Sequence, residues 1–144
     1  MMFVLMEEKD LDLVCELEGQ CFKNPWDHKQ CLYELRENPF SRGILLKEEE
    51  QIVGYAFLWI TFELAQLARI GIDPKLRQKG YGTILMKHLI EIAQRQGCDV
   101  FTLEVRESNQ GARALYESSG LIEINRSKQY YPDGEDAIVY SMGI

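Results

Sequence analysis

The sequence lacks the features that mark several large classes of protein. No apolar run approaches the roughly 18 residues that span a membrane, and no basic segment precedes the apolar residues at the start, so we expect neither a membrane span nor a secretory signal. Basic residues are outnumbered 16 to 23 by acidic ones, and the net charge of −7 argues against direct binding to nucleic-acid phosphates. The charge is compatible with a basic peptide or an amine as substrate, although a solvated acidic surface explains most of it as well.

Cysteine and histidine are scarce and show no metal-binding pattern. The chain has four cysteines with no Cys-x-x-Cys pair, and two histidines, His28 and His88. We therefore predict no metal site, and reduced thiols in a cytoplasmic protein. A cysteine nucleophile with a histidine base stays open, because nothing in the sequence places the two together.

The remaining composition predicts one domain over residues 1–144. The chain is 46% hydrophobic and 27% charged, without repeats, linkers or low-complexity segments. Periodicity and turn residues predict strands over 2–6, 43–46, 52–62, 63–72, 99–105, 121–127 and 137–142, and helices over 9–21, from Asp27 to just before Asn38, over 83–96 and over 109–119. Asp10 is the expected cap of the first helix, and Gly54 a possible bulge. The order predicts an α/β (mixed α+β) fold, a mixed sheet with helices on both faces.

The most informative segment joins an apolar strand to an amphipathic helix. It reads Arg77-Gln78-Lys79-Gly80-Tyr81-Gly82, and we name it the glycine loop. Two glycines separated by one residue permit a tight turn and let a ligand approach the main chain. The helix that follows presents unpaired N–H groups at the positive end of its dipole. The segment therefore predicts an anion site, and phosphate is the usual biological anion there.

Two common phosphate motifs do not fit the glycine loop. A Walker loop needs glycine, four residues and then Gly-Lys-Ser/Thr, and the chain has no such spacing. A dinucleotide fingerprint needs a third glycine at position 85, which is Leu85. On its own the loop is equally compatible with a plain turn between a strand and a helix.

Two side chains beyond the loop are candidates for proton transfer. Glu104 lies on the strand predicted over 99–105, on the face opposite its apolar residues. It is either a general base or a salt-bridge partner of Arg69 or Arg106. Tyr116 lies on an apolar helix face, where tyrosine is usually a core residue, but its phenol could protonate a leaving thiolate.

Longer motifs around these residues resemble the GNAT family of N-acetyltransferases, which bind acetyl-coenzyme A. The family core is matched by the glycine loop, by Leu103-Glu104-Val105-Arg106, by Ser108-Asn109, by Ala114-Leu115-Tyr116-Glu117-Ser118 and by Gly120. Other segments are similar to its ribosomal-protein-alanine N-acetyltransferase branch, which acetylates the N-terminal α-amine of a small-subunit ribosomal protein: Glu18, Cys21-Phe22, Pro25-Trp26, Tyr130-Tyr131-Pro132 and Asp133-Gly134-Glu135-Asp136-Ala137. The similarity runs over nearly the whole chain.

The resemblance implies a fold, a donor and a set of roles. It implies a central, mostly antiparallel sheet, acetyl-coenzyme A as the acetyl donor and no metal. Glu104 corresponds to the proton acceptor and Tyr116 to the proton donor. Cofactor contacts correspond to Ile70, Gly71, Ile72, Gln78, Lys79, Gly80, Tyr81, Gly82, Thr83 and Asn109. Pro25, Trp26, Tyr130 and Tyr131 would wall an acceptor groove, with Glu135 or Asp136 able to attract a cationic N-terminus.

Some positions depart from the family pattern, and other functions stay open. Leu121 stands where an aromatic residue often follows the glycine, and Asp27 replaces a frequent serine. The segment from Tyr130 to Ala137 is short, which bears on the choice of substrate. One alternative is an acetyltransferase for a protein lysine, a polyamine or a small molecule. Another is a non-catalytic acyl-coenzyme A-binding module that regulates a partner.

Overall fold

The computed structural model describes residues 1–144 and has the predicted order of elements. The strands are β1 Met2–Leu5, β2 Ser41–Glu48, β3 Gln51–Thr61, β4 Leu64–Ile72, β5 Val100–Arg106, β6 Ile122–Ser127 and β7 Ala137–Gly143. The helices are α1 Leu11–Cys21, α2 His28–Arg36, α3 Tyr81–Arg95 and α4 Gln110–Ser118, with single 3-10 turns at Glu8–Asp10 and Pro74–Leu76. None of these helices combines the length and the apolar character needed to cross a membrane.

All strands join one seven-stranded sheet in the order β1-β2-β3-β4-β5-β7-β6. Every neighbouring pair is antiparallel except β4 and β5, which are parallel. This mixed, mostly antiparallel sheet confirms the predicted fold class. The single parallel pair matters because the connection between its strands contains the glycine loop and α3.

Each face of the sheet buries its own apolar cluster. Leu85 and Leu89 of α3, together with Tyr116 of α4, pack on one face. Val14 of α1 and Cys31 of α2 pack on the other. Helices therefore cover both faces, as the order of the elements predicted.

Three local predictions were wrong in detail. The side chain of Asp10 accepts from the backbone N–H of Glu7 (2.8 Å), so it closes a 3-10 turn and does not cap α1. The extra residue in β3 is Val53, because Leu46 pairs with Gly54 and Lys47 pairs with Ile52. A Cβ at Gly54 would lie 2.7 Å from the Ile72 side chain, so this glycine permits close packing of β4. Finally, α3 begins two residues before Thr83.

Candidate active site

The glycine loop presents a row of unpaired backbone donors. The N–H groups of residues 78–83 donate to no protein acceptor, and the first helical bond runs from Ile84 N to Gly80 O (3.1 Å). Gly80 has a φ of +87°, a conformation that favours glycine. A Cβ there would meet nothing within 4 Å, so open space lies beside the loop. Unpaired N–H groups at the start of a helix of 15 residues fit an anionic ligand.

The parallel strands β4 and β5 diverge next to this loop. They pair only from Leu64 to Leu67 and from Val100 to Leu103. The separation begins at Ala68, an extra residue in β4 relative to β3, because Phe57 pairs with Arg69 and Leu58 with Leu67. The opening therefore starts three residues before Gly71.

Alternation along β4 turns the main chain of Ile70 and Ile72 toward the opening. The N–H of Asp73 donates to Val53 O (2.9 Å). Main-chain polar groups alternate in direction along a strand, so those of Gly71, two residues earlier, also point toward β3. Ile70 and Ile72 then direct their polar groups away from β3. The carbonyl of Ile72 is already partly used, because it accepts from Cys21 Sγ (3.4 Å) and Arg77 Nε (3.3 Å).

Gly71 has a packing role that the sequence did not reveal. A Cβ at this position would lie 2.5 Å from the ring of Tyr55 on β3. The glycine therefore lets β4 pass over a fully buried tyrosine.

The opening and the glycine loop form one cleft of about 980 Å³. Nearly all the expected cofactor residues line it: Ile70, Gly71, Ile72, Gln78, Gly80, Tyr81, Gly82, Thr83 and Asn109. Lys79 does not line the cleft. Glu104 and Tyr116 line the same cleft, so the structure brings both proton-transfer candidates to the glycine loop.

Glu104 is not used in a salt bridge. Arg69 pairs with Glu18, and Arg106 pairs with Asp133 and Glu135. The Glu104 side chain is exposed, and its charge is the largest cause that raises the pKa of Tyr130. Burial first and Glu104 second raise the pKa of Tyr131. The carboxylate therefore faces the two tyrosines, also acts on Tyr130 through a side-chain hydrogen bond, and is free of salt bridges.

Tyr116 is a buried phenol at the edge of the cleft. The residue is 6% exposed, and its hydroxyl has no hydrogen bond with a protein group. Burial raises the pKa of Tyr116 well above its ordinary value, so the phenol holds its proton at neutral pH. Its ring packs at 6.1 Å from Tyr140, whose hydroxyl bonds with Arg113 Nε (3.1 Å) and Glu117 Oε2 (2.5 Å).

Asn109 caps the helix that carries Tyr116. Its side-chain oxygen accepts from the N–H of Ala112 (3.1 Å), which stabilises the first turn of α4. The residue also lines the cleft, so capping and ligand contact are compatible.

The four expected acceptor residues do not lie together. Only Tyr131 lines the cleft. Tyr130 packs edge-on against it at 5.1 Å and is 56% exposed. Trp26 packs on Phe57 at 5.3 Å and lines a smaller groove beside α2, and Pro25 is exposed.

The two acidic residues expected to attract an N-terminus are engaged elsewhere. Glu135 accepts from the N–H of Ser108 (2.7 Å) and from Arg106 (2.9 Å), and hydrogen bonds from Ser108 first and Arg106 second lower its pKa. Asp136 accepts from the N–H of Gln129 (2.9 Å) and from Arg126 (3.0 Å). Both carboxylates therefore hold a loop in place, which leaves Glu104 as the free carboxylate near the opening.

A buried network behind Trp26 was missed by sequence reasoning. Glu18 is fully buried and accepts from the N–H of Trp26 (2.8 Å) and from the hydroxyl of Tyr55. Arg69 Nε lies 3.4 Å from Glu18, an ion pair without a directed hydrogen bond. The Arg69 guanidinium stacks on Phe22 (4.2 Å) and Trp26 (4.9 Å). A glutamate among the apolar positions of α1 was the available signal.

No group of three or more histidine, cysteine, aspartate or glutamate side chains is placed to hold a metal ion. The four cysteines are all free thiols.

Comparison with known proteins identifies the class that this fold and cleft define. The sequence model of the acetyltransferase (GNAT) family matches residues 11–121, and the chain belongs to that family. The ribosomal protein bS18-alanine N-acetyltransferase of Salmonella typhimurium is 30% identical over 143 residues, which cover 97% of this chain and 95% of the relative.

Two solved structures extend the comparison. The crystal structure of the ribosomal-protein-S18-alanine N-acetyltransferase from Escherichia coli has a TM-score of 0.91 and 31% identity, covering 99% of this chain and 93% of that one. The yncA protein of Salmonella typhimurium, solved with its cofactor acetyl-coenzyme A, has a TM-score of 0.79 over 99% of this chain and 92% of that one. At 18% identity this second likeness concerns the fold alone.

Proposed function

We propose that the protein, acting as a single domain, transfers an acetyl group from acetyl-coenzyme A to the N-terminal α-amine of a small-subunit ribosomal protein that begins with alanine. One observation carries the proposal: a free carboxylate and a buried phenol line the same cleft as a row of unpaired backbone donors. The names of full-length relatives support the acceptor, since they are called ribosomal protein bS18-alanine N-acetyltransferases. A ribosomal acceptor would be met in the cytoplasm, where we expect the enzyme to act.

The donor end suits a long ligand with a diphosphate. We assign the pyrophosphate of the coenzyme to the unpaired N–H groups of residues 78–83. The main chain of Ile70 and Ile72 would bind the amide-bearing arm, and Asn109 would contact the ligand from α4. When bound, the coenzyme supplies the thioester carbonyl that an amine attacks.

The chain's own residues would handle the protons. An α-amine has a pKa of about 7.7–8.0, so its deprotonation at neutral pH costs only about 1 kcal/mol. Glu104 accepts that proton directly or through one water. Backbone N–H groups beside the opening in β4 stabilise the developing oxyanion. Tyr116 donates its proton to the departing thiolate, and a phenol held neutral by burial is suited to that role.

Acetylation of the small-subunit ribosomal proteins tests the proposal. The protein is incubated with acetyl-coenzyme A and the purified set, and intact masses are followed by mapping of N-terminal peptides. We expect one acetyl group on the α-amine of one protein. Acetylation of several proteins on lysines would favour the lysine alternative, and no turnover despite binding of acetyl-coenzyme A would favour the regulatory module.

A further inference from the structure

Two loops from distant parts of the chain meet beside Glu104. The α1–α2 loop (residues 22–27) follows the first helix, and the β6–β7 loop (residues 128–136) joins the last two strands. They carry the aromatic residues Phe22 and Tyr131, which both line the cleft. The relative position of the two loops therefore sets the shape of this end of the cleft.

The guanidinium of Arg106 bonds with both loops. Its Nη1 donates to the carboxylates of Asp133 (3.0 and 3.1 Å) and Glu135 (2.9 Å) in the β6–β7 loop. Its Nη2 donates to Oδ1 of Asn24 (2.8 Å) in the α1–α2 loop. The rigid guanidinium fork reaches the two loops through separate nitrogens, whereas the compact ammonium of lysine would stay with the two carboxylates.

Asn24 also accepts a hydrogen bond from a second arginine. Arg69 Nη2 donates to the carbonyl of Asn24 at 2.8 Å, so strands β4 and β5 both contact this residue. A direct bridge between the loops also runs from Lys23 Nζ to Asp133 (2.7 Å). Lys23 is 67% exposed, and such surface pairs contribute little. Arg106, whose side chain is 17% exposed, is therefore the principal tie between the loops.

Arg106 also fixes the loops relative to the free carboxylate. It lies two residues after Glu104, so both side chains project from the same face of β5. The ring of Tyr131 stacks on its guanidinium at 4.1 Å. None of its polar contacts reaches the glycine loop.

We propose that Arg106 is a positioning residue that couples the two loops and thereby sets affinity for the acceptor, while the donor end is unaffected. The proposal rests on the proposed function in one respect, that the acceptor binds between these loops. Coupling of the loops is tested separately from catalysis.

Hydrogen exchange of the free protein tests the coupling. In Arg106→Met both loops should exchange about tenfold faster, because bonds with charged groups are lost on both sides. In Arg106→Lys the β6–β7 loop should keep its protection while the α1–α2 loop loses it. Asn24→Ala should speed exchange only in the α1–α2 loop. Since Asn24 is exposed, the substitution is not expected to affect folding.

Arg126→Met is the matched control. Arg126 pairs with Asp136 and Glu107 but contacts no residue of the α1–α2 loop. The substitution Arg126→Met should speed hydrogen exchange in the β6–β7 loop and leave exchange in the α1–α2 loop at the wild-type rate. Equal loosening of both loops in this control, or unchanged exchange in Arg106→Met, would overturn the coupling.

Steady-state kinetics with an alanine-initiated peptide test the consequence. Arg106→Met should raise KM for the peptide about tenfold, lower kcat by less than about threefold and keep KM for acetyl-coenzyme A within about twofold. A lower kcat at unchanged peptide KM would overturn the positioning role. If the wild type does not acetylate the peptide, the proposed function fails, and the exchange pattern alone still decides whether Arg106 couples the loops.

Discussion

The two ends of the cleft are built from different chemistry. At the proposed donor end, consecutive residues of the glycine loop present unpaired main-chain N–H groups. At the proposed acceptor end, side chains from β4 and β5 hold two loops, with Arg106 and Asn24 being 82 residues apart in sequence. A backbone site depends on a few glycines, whereas a side-chain site is sensitive to single substitutions. Damage to one end should therefore leave the other intact, and four substitutions test this.

The largest effect is expected from Glu104→Gln, at the point where the two ends meet. At neutral pH kcat should fall about 10²–10⁴-fold, the usual contribution of a general base. KM for acetyl-coenzyme A should not change. Part of the lost kcat should be recovered at about pH 9.5, where an α-amine is already deprotonated. Glu123→Gln, on β6 and outside the cleft, is the control. A wild-type rate in Glu104→Gln would show that Glu104 is a solvated surface residue and not the general base.

Removing the buried carboxylate behind Trp26 should cost stability. Glu18→Ala leaves the N–H of Trp26 and the hydroxyl of Tyr55 without acceptors, and Arg69 without its ion pair. The free energy of unfolding should fall by about 3 kcal/mol, measured by urea denaturation. Glu16→Ala changes an exposed residue of the same helix and should fall within about 0.5 kcal/mol of wild type. Equal stability of the two variants would contradict the role of the network.

Substitution of Gly80 should damage the donor end alone. Gly80→Val brings a side chain into the open space beside the unpaired N–H groups, and KM for acetyl-coenzyme A should rise about tenfold or more. Gly97→Val is a close control, because Gly97 has a φ of +83° with equally open surroundings but lies at the end of α3, outside the cleft. Both should lose about 1–2 kcal/mol of stability from backbone strain. A parallel rise in KM in both would show that strain, not the ligand site, causes it.

The smallest effect is expected at Tyr116. A thiol has a pKa of about 8.5, so its thiolate leaves readily, and Tyr116→Phe should lower kcat by only about three- to tenfold. Since burial raises the pKa of this phenol, its protonated fraction does not fall as the pH rises through the mildly alkaline range. The kcat profile of the wild type should therefore show no alkaline decline up to about pH 9.5. An alkaline decline of kcat in the wild type that is absent from Tyr116→Phe would contradict this prediction.

Local patterns predicted one end of the cleft well. The fold class follows from periodicity, and the glycine loop lies where its motif placed it because turn and helix start are set by neighbouring residues. Strand alternation correctly placed Glu104 opposite Phe101 and Leu103, which are both buried. These inferences need only residues close in sequence.

Other features of the site depend on contacts that no local pattern contains. The divergence of β4 from β5 arises from one extra residue, Ala68, relative to β3. Glu18 and Arg69 form an ion pair across two elements, and both contact Trp26, which we expected to wall an acceptor groove and which does not line the cleft.

Competition between two peptides tests the central claim most directly. One has a free N-terminal alanine, and its twin has a blocked N-terminus and an internal lysine. They are mixed with the enzyme and acetyl-coenzyme A, and acetylation is followed by intact mass. The account predicts acetylation of the free α-amine well before the lysine, whose pKa of about 10.4 makes deprotonation costlier. Faster acetylation of the blocked twin would contradict the proposed acceptor while leaving acetyl transfer itself in place.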